Sequence, residues 1–301
     1  MSDHLLKRLS WPGSPTHLAV LRMVYAAHLF EVISSPVLPM LRRFQASPHA
    51  LAGTWFPEIL ETLGRDYLSV WVGIGLLGCC ALLAGCLTRL AAVLTLTSFL
   101  FTQNYWFRST VFHDDWLFLT CPLLILCFAR SADVWSVDAW IKKRRGTSSV
   151  AEDRRCYRWP IELAVFWFGF VYVAAGIAKL FPIHKGLLWI TGVSTQEFCI
   201  QFMFESPLVA ILGGTPFDYT VLWPFAIATV ITVCVELGVG WVWFSERGRL
   251  LVVIAVVGMH LGIYFMGIPG FVQIALVCSV ALIPSRLFPD MSREDETKSP
   301  L

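Results

Sequence analysis

Lys179, in the apolar run AAGIAKL, is the side chain of this sequence best suited to act as a base, because desolvation disfavours a charged ammonium. His260 lies in GMHLGIYF and Glu236 in VELGVGW. His28 with Glu31, Asn104, and His113 with Asp114 and Asp115 fall inside or at the ends of other apolar stretches. Ionisable groups in such surroundings are costly and are functional-site candidates by default. A neutral histidine near a lysine base could orient or polarise an oxyanion, so the set suits proton abstraction from a lipid-soluble substrate, a quinol among others. Each residue also has a plainer structural role open to it. Lys179 could snorkel to the headgroups, His260 could bridge two helices in the core, and Glu236 could be held in a structural pair. His113 and its two aspartates have a metal-like composition, but consecutive residues on one turn point in different directions, and no metal is expected.

The elements that must position these groups are membrane helices. Hydrophobic residues make up 56% of the 301 and charged residues only 15%, against about a quarter in a soluble domain. Apolar runs of roughly 17 to 23 residues, long enough to cross a hydrocarbon core, fall near 17–37, 69–87, 89–107, 114–131, 161–182, 222–244, 249–266 and 269–287. The sequence therefore predicts an all-α, multi-pass bundle of about eight transmembrane helices. The first run carries Arg22, His28 and Glu31, which leaves a seven-span arrangement open. Lys and Arg cluster in the loops that share a side with the N-terminus, so the positive-inside rule puts both termini in the cytoplasm. With that orientation Lys179, His260, Glu31, His28, Asn104, His113 and Asp114 converge on one outer level, whereas Glu236 falls in the inner half of its span.

Residues 1–16 are a polar N-terminal segment without the apolar stretch of a cleavable signal peptide. Residues 17–287 form the transmembrane domain. Within it, 132–160 is a cytoplasmic loop containing an interfacial helix in DVWSVDAWIKKRR, whose basic run holds topology and meets anionic headgroups and not nucleic acid. Residues 183–221 are too apolar for a solvated loop and predict short helices at the outer interface. Residues 288–301 are a polar tail expected to be disordered. The nine cysteines form no spaced CxxC pair and behave as small core residues.

The runs FHDDWLFLTCPLLILCFARSADVWSVDAW, FVYVAAGIAKL, VELGVGWVWFSERGR and GMHLGIYFMGIPGF resemble the HTTM (horizontally transferred transmembrane) domain, the membrane portion of vitamin K-dependent gamma-glutamyl carboxylases. The resemblance spans roughly residues 15–287. It implies that Lys179 is the base that deprotonates a reduced quinone of the vitamin K or menaquinol type and that His113 helps the oxyanion. Glu236 and His260 fall on acidic and histidine positions of later spans. The carboxylases also carry a large extracytoplasmic part that this resemblance does not cover, so it implies quinol oxygenation more directly than protein carboxylation. Short bacterial relatives include proteins tied to peptide export or maturation, which implies a second possibility: a non-enzymatic component that binds a peptide or protein partner. In either case the expected location is a bacterial cytoplasmic membrane.

Overall fold

The structure is a computed structural model that describes residue 9 and residues 11–34, 58–109, 115–147, 150–181, 186–202, 206–214, 218–267 and 271–288. Every regular element among them is helical: α1 Pro15–Ser34, α2 Glu58–Ala84, α3 Thr88–Ser109, α4 Asp115–Phe128, α5 Val137–Arg144, α6 Arg158–Leu180, α7 Gly186–Ile190, α8 Val193–Gln201, α9 Pro207–Leu212, α10 Trp223–Gly238, α11 Arg249–Phe265 and α12 Phe271–Leu282. Each of the eight apolar runs holds one helix. Three helical stretches, Pro15–Ser34, Arg154–Leu180 and Trp223–Trp243, are long and apolar enough to cross a membrane, and five further apolar helices are shorter. Helix α2 begins at Glu58, well before the apolar run at 69, because its first turns are polar and a hydropathy count discards them. Helix α10 tightens into a 3-10 segment at Val239–Trp243.

The chain divides into two units, one of Leu6–Ala164 with Phe288–Leu301 and one of Val165–Leu287 with Met1–Leu5. Their surfaces are inverted relative to a water-soluble protein. Leu77 and Leu251 are more than 70% exposed, while Arg22 and Arg249 have no exposed surface. This is the pattern of helices solvated by hydrocarbon.

In the first unit α2 packs against both α1 and α3, and α3 against α4. The α2–α3 turn is tight, with Gly85 at φ 67° and Leu87 at φ 46°. Asp138, at the start of α5, caps α3 from a distance: its carboxylate accepts from the Leu87 and Thr88 amides at 2.9 and 3.0 Å and from the Thr88 hydroxyl at 2.9 Å. The Asp138 amide in turn donates to Gly85 O at 3.0 Å. Arg22 of α1 donates to the carbonyls of Ser131 and Trp135 in the α4–α5 connection. Asp133 accepts from Arg130 at 2.6 Å and from the Tyr157 hydroxyl at 2.7 Å. Gly13 donates to Arg154 O, and a Cβ there would sit 2.4 Å from Arg158 N. The approach to α1, the α2–α3 turn, α5 and the start of α6 thus form one connected end of this unit.

In the second unit α11 packs on α12 and on α10, and the short helices α7 and α8 pack on α10. Gly192, at φ 85°, lets the α7–α8 turn approach the α10 backbone, where a Cβ would meet Ala226 N at 2.4 Å. The Gln196 side chain donates to Tyr219 O, and Ser206 donates to Phe265 O at 2.6 Å. Among the described residues of the 183–221 stretch, α7, α8 and α9 are helical and packed.

The Asp138 cap sets a pH dependence. Burial would raise its pKa, but the Thr88 and Leu87 hydrogen bonds and the nearby Lys142 outweigh it and hold the carboxylate below its usual range. A depressed folded-state value gives stability that is present above the unfolded value of about 4 and is lost as pH falls through the lower folded one. Asp138→Ala is expected to lower stability by about 1 kcal/mol near neutral pH, solvent screening keeping the effect small. In detergent melts, the gap between wild type and variant should stay constant down to roughly pH 4 and close below it.

Candidate functional site: a part-buried lysine–glutamate pair

Helix α6 carries Tyr172, Gly176 and Lys179 at i, i+4 and i+7, which places all three on one face. That face meets α10. A Cβ at Gly176 would lie 3.1 Å from both Glu236 Cβ and the Leu237 side chain. Gly240 approaches Val173 to a similar distance, and Gly169 lies against the Trp243 indole. Position rises along one helix as it falls along the other, so the two run antiparallel with small residues permitting close approach. This register puts the end of α6 level with the middle of α10, and about two and a half turns of α10, roughly 15 Å, extend past it. Helices α7 and α8 pack along that projecting part.

The stagger brings Lys179 to Glu236. Lys179 Nζ donates to the two carboxylate oxygens at 2.6 and 2.8 Å. The side chains are 18% and 8% exposed. The contact brings to one level two side chains that the depth count from the sequence put apart, Lys179 near the outer end of its span and Glu236 in the inner half of another. Counting from helix ends assumes that all helices start at one level, and α6 and α10 do not. Lys179 also lies 5.6 Å from the centre of the Trp189 ring of α7, and Trp189 stacks on Phe198 of α8 at 5.6 Å.

Beside the ion pair, the Tyr172 hydroxyl and His260 Nε2 are 2.6 Å apart and join α6 to α11, with the ring tautomer deciding which group donates. The Cys278 thiol of α12 is in hydrogen-bonding contact with the same hydroxyl. Lys179 lies within Coulombic reach of His260, and Glu236 of Tyr172. Four helices thus contribute to one polar cluster in apolar surroundings. Tyr172, Cys278 and Trp189 were not selected from the sequence. The one available signal was the helical spacing of Tyr172 from Lys179.

The remaining candidates lie in the other unit or outside the described residues. His28 and Glu31 belong to the other unit and face each other at 3.6 Å on α1. Asn104 lies on the α3 backbone, with its side chain outside the described residues, and His113 and Asp114 lie outside them altogether.

Helices with hydrocarbon-type surfaces and charges compensated internally define an integral membrane protein. A family model described as the HTTM domain matches residues 11–281, and the chain belongs to this family. No curated protein and no solved structure gives a match.

The pair makes a sharp energetic expectation. Lys179→Met or Glu236→Leu alone strands a charge away from water and should lower stability by about 3–5 kcal/mol. The double variant removes both charges and should recover most of that loss. Thermal melts of the four proteins in detergent form the cycle; strictly additive losses would show that the two groups do not depend on each other.

Proposed function

We propose that this HTTM protein is a membrane enzyme in which Lys179, paired with Glu236, takes a proton from a quinol-like substrate dissolved in the bilayer. The observation that carries the reading is the contact pair itself, held in apolar surroundings on the lysine that the carboxylase resemblance assigns as the base. Two arrangements of one proton are available to such a pair, ammonium with carboxylate and amine with carboxylic acid. In the second, the Lys179 lone pair accepts the substrate proton, and the protonated Glu236 donates a hydrogen bond to the oxyanion that results. The product is a quinolate beside an ammonium, which is electrically neutral as a unit. Subsequent reaction with dioxygen balances as quinol plus O2 giving quinone epoxide plus water. His260 and Tyr172 support the site by fixing α6 and α11 around it. From the resemblance, His113 stabilises the same oxyanion.

The accompanying topology is about eight spans with both termini cytoplasmic, in a bacterial cytoplasmic membrane. It is supported by helix at each apolar run and by the way the basic segments at the start of α3, in α5 and at the start of α6 meet at one end of the first unit. Lys179 lies roughly 30 Å along α6 from Arg158, on the outward side of the bilayer in this orientation.

The test is oxygen uptake and quinone-epoxide formation by purified protein with reduced menaquinone or vitamin K. Lys179→Ala is expected to abolish turnover, Glu236→Gln and His113→Ala to reduce it by a factor of roughly 100 or more, each with folding checked by a melt. Absence of turnover in the wild type, in a preparation where a carboxylase control works, would overturn the quinol reading in favour of a component that binds a peptide or protein partner.

A further inference from the structure

Helix α5 presents a surface that the base chemistry does not use. Its inner side is fixed to the first unit through the Asp138 cap on α3 and through Lys142, whose ammonium lies 3.5 Å from the buried Asp133 carboxylate. Its N-terminus is capped by Ser136, whose hydroxyl accepts from Ala139 N at 2.9 Å. The outward stripe at i, i+3 and i+7 is Val137, Trp140 and Arg144. Trp140 is 53% exposed, and the Arg144 guanidinium sits 4.0 Å over its ring. Lys143 and Arg145 are exposed beside this stripe. Just before the helix, Trp135 holds a φ of 49°, a conformation costly for a bulky residue, yet its ring is 48% exposed. The strained backbone therefore does not serve to bury the indole. Arg22 holds it in place by donating to Trp135 O at 2.6 Å.

We propose that this surface, with Trp135 and Trp140 as apolar contacts and Lys143, Arg144 and Arg145 as phosphate ligands, binds the headgroups of anionic phospholipids. Three observations select that occupant. The charge is uniformly positive on the outward side, which complements a phosphodiester surface. The apolar groups are indoles, which favour the headgroup level over both water and hydrocarbon. The helix is anchored through its opposite side to the α2–α3 turn, between two apolar helices, which places it beside a membrane boundary. Because α5 is docked before any lipid arrives, binding does not have to fold it, unlike a basic tail that orders on contact.

Native mass spectrometry of the full chain in detergent, titrated with equal amounts of phosphatidylglycerol and phosphatidylcholine, tests this. Wild type should retain phosphatidylglycerol preferentially. The variant Lys143→Gln/Arg144→Gln/Arg145→Gln should lose that preference by roughly tenfold or more, since each basic residue near an anionic surface contributes about fivefold. If the triple variant melts early, Lys143→Gln/Arg145→Gln, which keeps the Arg144–Trp140 contact, should still show a loss of several-fold. Equal retention of the two lipids by wild type would overturn the proposal. So would unchanged selectivity in a folded variant, or inorganic phosphate displacing the lipid as effectively as phosphatidylglycerol does.

Discussion

A charge removed from water must be compensated inside the protein, and this constraint organises the chain more than any apolar contact does. In hydrocarbon, burying one more leucine gains little, because the alternative environment is equally apolar. Leaving a guanidinium or carboxylate without a partner costs several kcal/mol. The described charges accordingly select which segments meet. Arg22 ties α1 to the α4–α5 connection, Asp138 ties α5 to the α2–α3 turn, and Lys179 with Glu236 fixes the level of α6 against α10. The exposed leucines on the outer faces are interchangeable by comparison.

The same constraint applies to the polar groups around Lys179. A structural pair needs only two groups. Here Tyr172, His260 and Cys278 form a second polar group within Coulombic reach of the pair, and an indole stands over the ammonium. Helices α7 and α8, packed along the projecting part of α10, bring Trp189 to this level.

Helix positions were legible in the sequence because a span of given length and hydropathy has few alternatives in a bilayer. The start of α2 was not, since Glu58 to Arg65 is helical without being apolar. The short helices of the 183–221 stretch were legible from apolar runs broken by glycine and proline. Lys179, His260 and Glu236 were identifiable as buried ionisable groups, but their partners were not. The Lys179–Glu236 contact depends on a stagger set by Gly169, Gly176 and Gly240, and hydropathy carries no information about how far one helix slides past the next. Tyr172 looked like one more aromatic residue in an apolar run. His113 and Asp114 lie outside the described residues.

The two ion pairs of α6 differ in when they can form. Arg158 and Glu162 are one turn apart on the same helix, with Nη2 and Oε1 2.7 Å apart, so that end of α6 brings its own counter-ion as it leaves the ribosome. Lys179 meets a carboxylate 57 residues further along the chain. At 5–20 residues per second, the lysine exists for on the order of 3–11 s before its partner is made. During synthesis, then, α6 starts as a helix that is neutral at its first end and charged at its last, and the arrival of α10 is the event that allows that last end to settle.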